Sequence, residues 1–344
     1  MKLGLVSSPV FLRHDTGGHV EGARRLEAVV AELNRSGVAW RCVPVHHRPA
    51  TDAELRRVHT AEHVERIEQA AREAAEDGEA WLDSDTVVSA ESARVAREAV
   101  GGLLELVGRT LEGHLDRGLA LVRPPGHHAT PDRAMGFCLY SNAALAARFA
   151  LAAGCRRVAV FDPDVHHGNG TQEALWGDPS ALLVSVHQHP LYPGTGMLDE
   201  RDPAGTTVNL PLPAGQGDAE YLWAFDRLVA PVLERFDPEL LLVSAGYDAH
   251  REDPLGGMNL STEGFRQLAL RIARLSRRCA ARGRVVAALE GGYHPPALAA
   301  SVRATLEAWL DEGEPEPVSP DRVRRDCRDL VERAREGAGL STGP

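Results

Sequence analysis

The stretch Val158–Gln172, VAVFDPDVHHGNGTQ, runs from four apolar residues into two carboxylates, two adjacent histidines and a Gly-Asn-Gly turn. A short apolar run that stops at turn-formers is the pattern of a strand covered on both faces. Titratable groups are costly beside such a core unless something pairs with them. The pattern recurs. Candidate strands are Leu3–Val6, Leu119–Val122, Val158–Phe161, Leu182–Val186, Leu240–Val243 and Val285–Leu289. Helical periodicity separates them at Glu21–Asn34, Glu62–Glu76, Ala90–Leu111, Asn142–Ala153, Ala219–Phe236, Thr262–Arg282 and Pro296–Trp309. Strands alternating with helices specify βαβ units, hence a single-domain α/β fold with a mostly parallel central β-sheet flanked by helices on both faces.

Composition narrows the function. The net charge of −11 argues against nucleic acid as a direct ligand, since phosphate binding wants a basic surface. The five cysteines (Cys42, Cys138, Cys155, Cys279, Cys327) lack any Cys-x-x-Cys spacing, so neither a disulfide framework nor a cysteine zinc site is expected. A reducing, cytoplasmic location fits this. MKLGLVSSPV turns polar too quickly for a signal peptide, and no apolar run reaches the length of a membrane span. No membrane partner is expected, and a homo-oligomer is left open.

After Trp309 the chain becomes acidic and Pro-rich, DEGEPEPVSPD. Such a segment is a connector by composition. Ser319 and Pro320 then resemble an N-cap and a first-turn proline. Val323, Cys327, Leu330 and Val331 would form one apolar face of a short helix, and the ending GAGLSTGP is expected to fray. The expected division is a catalytic unit over residues 1–312 and a connector with a helical appendage over 313–344.

Four candidate strands run into polar ends: RPPGHHA, DPDVHHGNG, SAGYDAH and EGGYH. In a parallel sheet all carboxyl ends emerge along one edge, where open α/β proteins place their sites. Thus His127, His128, Asp162, Asp164, His166, His167, Asp248 and Tyr293 can converge despite their separation in sequence. Residues i and i+2 of an extended segment point the same way, so Asp164 and His166 face a common point. Asp248 from a neighbouring strand end would complete an Asp/His/Asp set, which suits a catalytic divalent ion such as zinc. Alone, an Asp-x-His is an ordinary solvated turn; the convergence of four strand ends favours the metal. The pair His127–His128 offers acid/base chemistry near neutral pH, although two adjacent histidines can equally serve packing. A phenol at Tyr293, behind two glycines, could donate to a developing oxyanion.

These residues carry a likeness. HVEGARRLEAV, VHTAEHVE, RPPGHHA, GFCLYSNAALAA, DPDVHHGNGTQ, SVHQHPLYPGTG, SAGYDAHREDPLGG and LEGGYH occur in order between about Leu3 and Trp309. With them the chain resembles the histone deacetylase and acetylpolyamine amidohydrolase family, more closely its class II and bacterial members. The resemblance implies the arginase/deacetylase-like fold, with Asp164, His166 and Asp248 as zinc ligands. It implies His127 and His128 as the tandem histidines, the second acting as base, with Asp162 paired to the first. Asn169 stands where class II members have asparagine, and Tyr293 matches the tyrosine that stabilises the tetrahedral intermediate. Gly136, Phe137 and Tyr192 match the lining of the acyl-lysine channel. Asp162, Asp164, His166 and Ser185 match positions around a structural potassium ion. His167 has a supporting role, and Arg25 matches an arginine near the floor of the site. Asp83 and Asp85 lie near a loop whose aspartate grips the substrate backbone in some members; the sequence does not choose between them.

The departures are local. Pro163 replaces a bulkier residue between the two aspartates, and Val20 and Ala23 replace prolines near the mouth. The related arginases need two metal ions, but Gly168 and His250 stand where their second-metal aspartates would be, so one metal is expected. Iron or cobalt could occupy the same ligands, because such sites select metals partly by availability. The activity implied is removal of acetyl or a similar acyl group from an amine. Leu255 stands where acetylpolyamine-selective members carry a glutamate, which tilts the substrate toward N-acyl-lysine. An acetylpolyamine or specialised-metabolite deacetylase is the alternative, and a binding module that has lost catalysis a more distant one.

Overall fold

The computed structural model describes residues 1–340; the last four residues of the expected frayed end lie outside them. Among the described residues there are ten strands: β1 (Leu3–Val6), β2 (Val43–Pro44), β3 (Ala80–Trp81), β4 (Val87–Val88), β5 (Arg117–Ala120), β6 (Val158–Asp162), β7 (Ala181–Gln188), β8 (Thr207–Leu212), β9 (Leu240–Ala245) and β10 (Val285–Leu289). Eight form one sheet in the order β2-β1-β5-β10-β9-β6-β7-β8, every pair parallel. Only β3 and β4 stand apart, as a short antiparallel hairpin. Helices cover both faces of the sheet, and β6, β7, β9 and β10 are buried along their whole length. That is why their sequences are apolar without alternation.

All six expected strands occur, with ends displaced by a few residues at most. Two sheet strands, β2 and β8, carry no such sequence signal, and both are edges. β2 has two residues, and each edge strand holds a proline, Pro44 and Pro211. Proline donates no ladder hydrogen bond, so it is tolerated at an edge and blunts that edge against further pairing.

The expected helix Ala219–Phe236 is broken into Asp218–Ala224, a π-helical turn Phe225–Val229, and Ala230–Phe236. The cause is Pro231, which cannot donate to the Arg227 carbonyl four residues earlier. Arg335, on the helix Arg325–Gly337, donates to that carbonyl instead. The same C-terminal helix lays Cys327, Val331 and Ala334 into the core shared with the sheet. Helix Thr262–Arg278 ends earlier than the periodicity suggested, because Cys279 is extended and the chain turns at Arg282 and Gly283, both with positive φ. No helix among the described residues is long and apolar enough to cross a membrane.

Candidate active site

The carboxyl end of β6 begins the site. Asp162 is its last residue; past it the chain folds back so that Asp164 and His166 meet Asp248, three residues beyond β9. His166 Nδ1 lies 3.1 Å from Asp164 Oδ1 and 3.1 Å from Asp248 Oδ2. The three side chains are buried, and their ligand atoms all lie within 4.8 Å of one another. Backbone donors fix both carboxylates: Val165 N–H donates to Asp248 Oδ1 (2.9 Å) and Gly291 N–H to Asp164 Oδ2 (2.9 Å). Burial and the neighbouring Asp164 push the Asp248 carboxyl up to about 7. Against the cost of burial, the two carboxylates hold His166 up to about 10. One imidazole N–H shared between two carboxylates satisfies neither fully, and a buried cluster of two carboxylates and an imidazole is short of positive charge. That donor set fits a divalent cation.

The tandem histidines lie beside it, their ring centroids 4.0 Å apart. His127 Nδ1 is 3.1 Å from Asp162 Oδ2, and His128 Nδ1 is 2.8 Å from Asn169 Oδ1. Burial opposes the charge of His127, yet Asp164 and Asp162 raise it well above the usual histidine range. Burial, His127 and His166 push His128 well below that range. Asn169 Oδ1 accepts the Nδ1 proton of His128, leaving its Nε2 with a free lone pair. The turn must pass closely under these groups. A Cβ at Gly168 would sit 2.2 Å from Asp162 Oδ2, which only glycine avoids.

Tyr293 follows β10 through two glycines and is buried, its ring 4.9 Å from the Arg25 guanidinium carbon. Arg25 holds this loop from below: its Nε donates to Gly292 O (2.6 Å), a second nitrogen donates to Glu290 O, and Nη1 donates to Glu21 Oε1 (2.9 Å). Phe137 meets Tyr293 edge-on at 5.8 Å, and Tyr192 meets His128 edge-on at 5.0 Å. The Gly136–Phe137 turn has positive φ at both residues (56° and 69°), and a Cβ at Gly136 would lie 2.5 Å from His128 Cδ2. Ser185 pairs in register with Asp162 on the adjoining strand, its hydroxyl 2.9 Å from His187 Nδ1. His167 contacts Thr195 and Gln172 (2.8 and 3.0 Å), tying the Tyr192 loop to the turn below. Leu255 is partly buried on the loop after Asp248.

The hairpin loop separates the two aspartates that the sequence left equivalent. Asp83 Oδ1 accepts from the N–H groups of Asp85 (3.0 Å) and Thr86 (2.7 Å), so it caps its own turn. Asp85 does not cap this turn and faces the Gly136 backbone instead; burial and Asp83 push it up to about 6. Thr86 Oγ1 accepts from Phe137 N–H (3.1 Å), joining the hairpin to the aromatic wall.

Two carboxylates were missed by reasoning from sequence. Asp253 accepts from Tyr293 N–H (2.5 Å) and Leu255 N–H (3.0 Å), pinning the tyrosine loop to the one after Asp248. Glu290 accepts from Gly126 N–H (2.6 Å) and His127 N–H (3.2 Å), fixing the backbone beneath the tandem histidines. Both stand inside DAHREDPLGG and LEGGYH, but a carboxylate that serves only backbone donors looks in sequence like any surface acid.

A family model for the histone deacetylase domain matches residues 19–309. The chain belongs to the histone deacetylase family. Histone deacetylase 15 of Arabidopsis thaliana is 40% identical over 302 residues, covering 86% of this chain and 53% of that protein. A probable deacetylase of Methanothermobacter thermautotrophicus is 38% identical over 337 residues, covering 96% of this chain and 97% of that one. The chain superposes on the crystal structure of the HDA15 HD domain with a TM-score of 0.90 at 36% identity, covering 98% of this chain and 94% of that one. It spans about half the length of Histone deacetylases 15 and 5 of Arabidopsis thaliana. The strand pattern of this histone deacetylase family member led to the expectation of a parallel α/β sheet, and its eight-stranded sheet bears that out.

Proposed function

We propose that this chain is a metal-dependent deacylase that hydrolyses the amide of an N-acyl amine, with N-acyl-lysine as the favoured substrate. The observation that carries this is the buried Asp164–His166–Asp248 set lying against tandem histidines of opposite charge preference. A divalent ion on those ligands, zinc or else iron or cobalt, supplies Lewis acidity toward an acyl carbonyl and a water. His128, neutral and with Nε2 free, takes the proton of the attacking water. His127, kept protonated by Asp162 and Asp164, adds positive charge beside the reacting carbonyl. The Tyr293 hydroxyl donates to the developing oxyanion. The leaving amine departs with a proton from a histidine. Phe137 and Tyr192 flank an acyl-lysine side chain, Gly136 lets the wall approach His128, and Leu255 stands at the mouth. Asp162, Asp164, His166 and Ser185 offer hard oxygens for a structural potassium ion. All these residues lie within 1–312, the proposed deacylase unit, and 313–344 is given a supporting role.

Leu255 offers no carboxylate to a distant ammonium, and this favours acyl-lysine over acetylpolyamines. Turnover of an acetyl-lysine peptide and of acetylspermidine under one set of conditions decides the matter. The peptide is expected to have the larger kcat/KM, and the reverse order would falsify the substrate assignment.

A further inference from the structure

A cavity of about 600 Å³ opens at the other end of the sheet, beyond the carboxyl ends of β1 and β2. β1 lies four positions from β6 in the sheet order, roughly 19 Å at the usual strand spacing. Ser8, just after β1, and His47, just after β2, line it, and Glu98 on the helix Ser92–Leu111 backs His47 from behind. Ser8 Oγ lies 2.9 Å from His47 Nε2, and His47 Nδ1 lies 2.7 Å from Glu98 Oε2. A carboxylate on Nδ1 keeps the proton on that nitrogen, so Nε2 turns its lone pair to the serine hydroxyl. The His47 ring packs on Phe11 at 5.5 Å, and the His47 and Glu98 side chains are 26% and 13% exposed, so the relay is shielded but reachable.

We propose that Ser8, His47 and Glu98 form a second, metal-independent hydrolytic site that cleaves esters of apolar acyl chains. Ser8 caps the 3-10 helix Pro9–Arg13, where its Oγ accepts from Val10 N–H (3.2 Å). That bond fixes the hydroxyl and leaves one lone pair for attack. The Ser8 N–H has no acceptor among the described residues and faces no competitor for a developing oxyanion. Leu5, Val30, Leu33 and Leu121 line the cavity, with Trp40 at its rim, 83% exposed. These walls suit an acyl chain. A single backbone donor stabilises an oxyanion modestly, which suits an ester, whose alkoxide leaves more readily than an amine anion. In the reaction Ser8 Oγ bonds to the carbonyl carbon as its proton passes to His47 Nε2. The ester C–O bond breaks, and the alcohol leaves with that proton. A water deprotonated by His47 then releases the acid and restores Ser8.

The metal-loaded full chain is treated with an alkyl fluorophosphonate, in which the serine oxygen displaces fluoride, and the adduct is located by peptide mass mapping. The adduct is expected on Ser8. Hydrolysis of p-nitrophenyl butyrate is measured with and without a chelator, and the chelator-resistant part belongs to Ser8. It should fall about 100-fold or more in Ser8→Ala and in His47→Gln, as removal of a triad member does. Both variants should keep acetyl-lysine deacylation, which also shows that they fold. Absence of a Ser8 adduct, or chelator-resistant turnover that survives both substitutions, overturns the proposal.

Discussion

His127 and His128 are chain neighbours whose rings lie 4.0 Å apart at a tilt of 43°, yet their surroundings drive them to opposite charge states. His127 faces two carboxylates, while His128 faces an amide and two other imidazoles. Asn169 matters here because it orients without adding charge. Tyr293 is the other side chain whose removal isolates one role. Tyr293→Phe keeps the edge-on contact with Phe137 and removes only the donor. It is expected to lower kcat on an acetyl-lysine peptide by roughly 100-fold, about 3 kcal/mol. Turnover like that of the unsubstituted protein would remove the tyrosine from the mechanism. His59 shows the same logic applied to stability. It is buried, with Nδ1 3.0 Å from Thr130 O and Nε2 accepting from Ser141 N–H (2.9 Å). Burial, with His63 beside it, pushes it down to about 3. The unfolded chain, with an ordinary histidine near 6.5, therefore binds the proton more readily than the folded one. Its contribution to stability is complete above about pH 6.5 and is lost as pH falls toward 3, on the order of a few kcal/mol in all. Urea midpoints at pH 7.5 and 5 should differ less in His59→Gln than in the parent; an equal difference would clear His59 of the effect.

At the scale of elements, the proline that breaks the Asp218–Phe236 segment is answered by a side chain from a helix about a hundred residues later. Arg335→Met keeps most of the aliphatic stem and removes the donor to the Arg227 carbonyl. It is expected to destabilise by about 1–3 kcal/mol, the cost of leaving a buried acceptor unsatisfied. Thermal unfolding measures this, and an unchanged midpoint would mean that water replaces Arg335 there. The β3–β4 hairpin makes a comparable long-range connection at the site, since Thr86 holds Phe137 in its positive-φ turn. Sequence patterning shows neither connection, because each joins a side chain to a distant backbone group.

For the whole molecule, the proposed metal site is where folding and chemistry meet. Asp164 and Asp248 are both fully buried, so without a cation the fold carries their repulsion and desolvation. Dialysis against a strong chelator is expected to abolish deacylation and to lower the thermal midpoint by several degrees, and zinc should restore both by mass action. Deacylation that persists after complete metal removal, confirmed by elemental analysis, would contradict the mechanism.

The sequence by itself determined the six inner strands, the parallel order of βαβ units and the edge on which polar strand ends gather. These follow from short-range physics: a strand covered on both faces must be apolar throughout, and parallel strands end on one side. Asp164 and His166 were singled out as i and i+2 of one segment, although it is a bend at 164–166, not an extended strand, that brings them together. Only the tertiary structure decided what depends on register and distance. It set Asp248 3.1 Å from His166, gave Asp83 to its own turn while turning Asp85 toward Gly136, and made Asp253 and Glu290 backbone anchors. It also brought Ser8, His47 and Glu98 together from three elements. A side chain's chemistry is written in the sequence, but its partner is chosen by packing, and packing is a property of the whole chain.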